Sequence, residues 1–102
     1  MEGKRQKKNN TALINVEDEL LVSNVAELRA AILEALSSND RISVDFGRTR
    51  YIDTAGMQLI LAAIRTAGGR LSFLGNLQTI TSAALRLGLD PAEFSSAVRG
   101  GK

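Results

Sequence analysis

"ISVDFGRTRYIDTAGMQLILAAIRTAGGRLSFLG", residues 42–75, changes its hydrophobic period twice. Ile42, Val44 and Phe46 alternate on one face, which predicts a strand over 41–47 stopped by Gly47. After "RTR", the β-prone pair Tyr51-Ile52 runs into an acid, Asp53, a hydroxyl, Thr54, and two small residues, Ala55 and Gly56. The spacing then becomes helical: Met57, Ile60, Leu61 and Ile64 form the apolar stripe of a helix over 55–67. "AGG" (67–69) ends it, glycine being suited to the left-handed position after a helix, and "RLSFLG" (70–75) returns to a strand. Strand, helix and strand in succession imply a crossover and parallel strands.

The same reading extends both ways. "TALINVED" (11–18) predicts a strand with Ala12, Ile14 and Val16 on one face, and "ELLVS" (19–23) a second short extended piece after a turn at Asp18-Glu19. Val25, Leu28, Ile32 and Leu36 mark a helix over 24–38, with Asn24 as N-cap and Glu27 at capping-box spacing. Beyond residue 75, Leu77, Ile80, Ala84 and Leu87 give a helix over 76–88 ended by Gly88; Asp90 and Pro91 open a last short one. The predicted order is β-β-α-β-α-β-α-α. This is an α/β fold: a small mixed, largely parallel sheet of about four strands with helices packed against it. Residues 11–99 are expected to form one domain and residues 1–10 a disordered basic tail, without internal repeats.

Composition narrows the chemistry. The chain has 102 residues, no Cys and no His, so disulfides, thiolates and the usual general base and metal ligand are missing. Hydrophobic residues make up 44% and aromatics 4%, so aliphatic side chains must fill the core. The net charge of +2 hides an asymmetry. Lys4, Arg5, Lys7 and Lys8 against Glu2 put +3 on residues 1–8, leaving −1 for the rest. Such a tail can touch nucleic acid or anionic lipid, but a solvated terminus is the plainer reading, and no direct nucleic-acid partner is expected. No apolar run nears 18 residues and no signal peptide is apparent, which predicts a cytoplasmic protein without membrane insertion.

The junction at Asp53-Thr54 is where open α/β sheets meet ligands and partners, at the C-terminal end of an extended segment. Thr54 is expected to cap the helix that follows. The N–H groups of Ala55, Gly56 and Met57 should point outward, and Gly56 should let another backbone come close. Asp53 is expected to orient the loop or accept backbone N–H bonds. Asp45, at the end of the preceding strand, should lie near the same edge, and Arg48 and Arg50 flank the junction. Two carboxylates without a third ligand do not favour a metal. No cofactor is implied.

The quoted stretch, with "LRLGLD" (85–90), closely resembles the core of the STAS family, named for sulfate transporters and anti-sigma factor antagonists. The resemblance spans roughly residues 11–98 and rests on the strand with Asp, the apolar-Asp-Thr-small-Gly junction, the helix and the Gly-Gly turn. It implies that Thr54 matches the position phosphorylated in anti-sigma factor antagonists, while Ala55 stands where a second hydroxyl is frequent. It implies a non-enzymatic module; with the junction read above, its expected partner-binding residues are Asp45, Arg48, Arg50, Asp53, Thr54, Ala55, Gly56 and Met57. Its partners would be an anti-sigma factor that is also a protein kinase of ATPase fold, and a phosphatase that reverses the mark. The "Asp-Thr-Ala-Gly" form is also similar to chemotaxis-associated STAS proteins. A further alternative is the small STAS subunit of a lipid-trafficking ABC transporter, with Thr54 contacting the ATPase subunit. A hydrolase built on Asp45, Asp53 and Thr54 is disfavoured, because nothing would activate the hydroxyl.

Overall fold

The computed structural model describes residues 10–97. All but the last residue of the expected tail, and the last two residues of the expected domain, lie outside the described residues. The elements in chain order are β1 (Thr11–Asn15), β2 (Glu19–Leu20), α1 (Val25–Ser38), β3 (Arg41–Asp45), β4 (Tyr51–Ile52), α2 (Thr54–Ala67), β5 (Leu71–Leu74) and α3 (Leu77–Arg86). A 3-10 turn, Gly68–Arg70, joins α2 to β5, and a second 3-10 segment, Pro91–Ala97, follows α3.

Three strands form one sheet in the order β1-β3-β5, and every pairing is parallel. The register runs from Thr11 opposite Arg41 to Asn15 opposite Asp45, and from Ile42 opposite Leu71 to Asp45 opposite Leu74. Alternation sorts the side chains as the sequence predicts. Ile42, Val44, Leu71 and Phe73 are buried under the helices, with Ala12 and Ile14 half-buried beside them. Leu13, Ser43 and Ser72 share one row on the opposite face, where Leu13 is 57% exposed. Phe46 meets Phe73 edge to face, 5.3 Å between centroids, within a mostly aliphatic core that also takes in Phe94.

The strand count exceeds the expectation. Tyr51-Ile52 is not just a lead-in to α2 but a strand, paired in parallel with Glu19-Leu20 as a separate two-stranded sheet. The cause is Thr49, which is fully buried. Its N–H donates to Phe46 O (3.0 Å), its hydroxyl donates to Glu17 O (2.9 Å), and the next N–H, of Arg50, donates to Asp18 O (2.7 Å). These bonds carry the chain off the main sheet and lay it against β2.

α1 buries Leu28, Ile32 and Ala35, as its stripe demands, but its start differs from the expected capping box. The Asn24 side chain faces the preceding loop, accepting from Leu21 N (2.8 Å) and donating to Glu19 O (2.9 Å), and makes no capping bond to α1. An Asn offers both a donor and an acceptor, and the short β2 turn supplies a partner for each.

The other end of α1 is closed from a distance. No basic residue stands in its last turn, yet the Arg70 guanidinium donates to Leu36 O (2.8 Å), Asn39 O (2.7 Å) and Asp40 O (3.1 Å). One cation thereby ties the α2–β5 turn to the α1–β3 turn and satisfies carbonyls at the negative end of a helix. Arg70→Ala is expected to lower stability by about 1–3 kcal/mol, read by urea unfolding. Arg70→Lys should recover only part of it, since one ammonium cannot span three carbonyls.

Candidate functional site

α2 begins at the expected junction, but a different residue caps it. Asp53 is the N-cap, in extended geometry (φ −92°, ψ −174°), and its Oδ1 accepts from Gly56 N at 2.9 Å. Thr54 is the first helical residue, so its hydroxyl does not cap. A carboxylate accepts more strongly than a hydroxyl at a helix N-terminus, and Asp53 sits where the backbone is still extended. Two of the three N–H groups expected to point outward are also engaged, Gly56 by Asp53 Oδ1 and Met57 by Asp53 O (3.0 Å).

The second carboxylate oxygen of Asp53 reaches across the fold and accepts from Val22 N at 3.0 Å. With Asp53 N donating to Leu20 O (3.1 Å), this residue joins the β2–α1 loop to the start of α2. The side-chain bonding expected of Asp53 is therefore present, and it brings in a neighbour that sequence reasoning missed. Val22 is 71% exposed, an apolar side chain on a loop tied to the same junction. An exposed Val following "ELL" offered no signal of that tie.

Around this anchor Thr54 is exposed, Ala55 half-buried, and Gly56 and Met57 buried. Met57 faces the core, as its place in the apolar stripe implies, and being fully buried it offers no surface for the partner contact also expected of it. Gly56 is required by a close approach: a Cβ there would lie 2.8 Å from Leu20 O, 2.7 Å from Ile52 Cγ2 and 2.9 Å from Leu20 Cγ. Gly56→Ala must separate α2 from the β2–β4 pair, because one of the obstacles is backbone. The expected loss is about 1–3 kcal/mol despite the better helix propensity of Ala, measured as a lowered unfolding midpoint.

The remaining sequence candidates serve other ends. Asp45 Oδ1 accepts from Gly47 N (2.7 Å), which forms the turn after β3. Asp45 ends β3 and bonds its own turn, while Asp53 follows β4 and caps α2, so separate local bonds hold the two carboxylates. Among the described residues, no three acidic, His or Cys side chains come together as a metal site. Arg50 lies 3.6 Å from Asp18 in an exposed pair, and Arg48 is exposed on the same loop. Behind the junction, Arg86 of α3 donates to Ile52 O and stacks 4.6 Å over the Tyr51 ring. That bracing depends on residues 34 positions apart and had no local signature.

An exposed hydroxyl on the first turn of a helix, set on a capped and cross-bonded junction, is suited to being covered by a partner or modified. Over residues 4–93 the chain matches the family described as "Mlab, STAS domain". The chain belongs to the STAS domain family. No curated protein matches it. As a STAS domain it is a regulatory or interaction module, on a fold that generally carries no catalysis of its own. Among the described residues no helix is long and apolar enough to cross a membrane.

Proposed function

We propose that this STAS domain acts as an anti-sigma factor antagonist-like switch in the cytoplasm. Its unmodified form captures an anti-sigma factor that is also a serine/threonine kinase of ATPase fold. Phosphorylation of Thr54 by that kinase ends the capture, and a phosphatase restores it. The observation that supports this reading is the exposed Thr54 side chain at the start of α2, on a turn fixed by both carboxylate oxygens of Asp53.

Phosphate would add a charge of about −1.5 to −2 and three acceptor oxygens. The helix terminus offsets roughly 0.3–1 kcal/mol of that burden, and Asp53 beside it opposes by a similar amount. The fold therefore tolerates the mark. A partner surface lying over Thr54 would have to desolvate a dianion, which is costly unless paired.

A second reading leaves Thr54 unmodified, since the adjoining Asp53 carboxylate repels a phosphate, and docks it on the ATPase subunit of a lipid-trafficking ABC transporter. Incubation with the cognate kinase and ATP, followed by mass-spectrometric mapping, separates the two. The switch predicts one phosphate, on Thr54. A kinase that binds but leaves Thr54 unmodified would rule it out.

A further inference from the structure

Beside the junction, on the far side of β4, lies a groove of about 220 Å³ between β4 and the first turns of α3. We propose that this groove binds a small soluble anion carrying a phosphate group. Its walls hold two guanidiniums, Arg50 and Arg86, and the neutral polar side chains Asn76, Gln78 and Ser82, and no carboxylate lines it. Guanidinium forks and amide or hydroxyl donors match the oxygens of a tetrahedral anion.

Three details sharpen the assignment. Arg86 is held in place by Ile52 O and the Tyr51 ring, and the bond to Ile52 engages only Nη2, so Nε and Nη1 remain as donors. Arg50 is only loosely committed elsewhere: its contact with Asp18 is 3.6 Å, with side chains 78% and 58% exposed, a pairing of little strength. The start of α3, which forms one wall, has no acidic residue in its first turn and no capping bond from the Asn76 side chain. The positive end of that helix is therefore unneutralised by its own residues.

Size selects the ligand class. A volume of about 220 Å³ falls below the roughly 300 Å³ at which pockets begin to enclose drug-sized molecules, so a phosphate or short phosphomonoester fits better than a large cofactor. With two guanidiniums in its walls, the groove is too limited to track a nucleic-acid backbone.

The test is an amide NMR titration of the full chain with sodium phosphate, against sodium chloride at matched ionic strength. Saturable shifts are expected at residues 50–52, 76–82 and 86. Ser82→Asp places a carboxylate in the wall at an exposed helical position and should fold normally while weakening binding at least about tenfold. Arg50→Gln should weaken it by a few-fold. Glycerol 3-phosphate should shift the same amides as inorganic phosphate, whereas binding seen only on vesicles of phosphatidic acid would overturn the proposal. So would shifts that chloride reproduces, shifts of equal size around Arg41 and Arg70, or a Ser82→Asp chain that binds phosphate as the parent does.

Discussion

Under the proposed switch, the chain phosphorylated on Thr54 is expected to bind its kinase about a thousandfold more weakly than the unmodified chain, which corresponds to roughly 4 kcal/mol. The argument is one of desolvation. Thr54 is exposed in the free protein, so its phosphate is hydrated there at no cost to the fold. In the proposed complex that hydration would be lost, and Asp53, whose oxygens are already committed to Val22 N and Gly56 N, would add like charge instead of compensation. Thr54→Glu carries a single negative charge and should weaken binding by about half that free energy, or roughly thirtyfold. Its melting temperature should stay within about 4 °C of the parent, as for other surface changes in a domain of this size. Thr54→Ala should retain most of the binding and no longer respond to ATP. Calorimetric titration of the three forms against the kinase checks each expectation. A Thr54→Glu chain that binds like the parent would remove the interface from Thr54.

The parts of this fold that follow from period were legible. Ile42, Val44 and Phe46, and later Met57, Ile60 and Leu61, repeat as the side chains of a strand and a helix must when one face is buried, and all six are buried. Gly68 ends α2 with φ +58°, as the "AGG" stop predicts. What escaped was set by partners distant in sequence. A two-residue strand such as β4 has no period of its own; it exists because Thr49 bonds Glu17 and Asp53 bonds Leu20 and Val22. Capping shows the same limit at close range. Asp53 and Thr54 are both good N-caps, and so in principle is Asn24. Backbone geometry and nearby loop carbonyls, which the sequence does not display, decide which side chain turns toward the helix. Of the candidate site only a placement was legible: Thr54 at the start of α2, where it is exposed. The groups that hold it, the Arg86 guanidinium behind and the Val22 backbone N–H beside, were not.

Gly75→Ala is expected to be the most damaging Gly→Ala change among the described glycines, costing about 3–4 kcal/mol and lowering the melting temperature by roughly 15–25 °C. Two penalties combine there. Gly75 has φ +89°, a conformation that costs an L-residue about 1–2 kcal/mol. Its Cβ would also lie 2.4 Å from Gly47 N, 2.5 Å from Asp45 Oδ1 and 2.7 Å from Gly47 Cα. Those atoms cannot move apart freely, because Gly47 N donates to Asp45 Oδ1 and Phe46 N donates to Leu74 O at 2.9 Å. The turns leaving β3 and β5 are therefore in backbone contact, and Phe46, which follows one of them, is a core ring. Gly88 separates the two penalties: its φ is +77°, but nothing lies within 4 Å of an added Cβ, so Gly88→Ala should show the conformational cost alone. Gly69, with open space and no positive φ, should tolerate Ala without loss. Thermal unfolding of the three variants is expected to rank Gly69→Ala, Gly88→Ala and Gly75→Ala in falling stability. If Gly75→Ala melted alongside Gly88→Ala, the contact between the two turns would contribute nothing to holding β3 and β5 together.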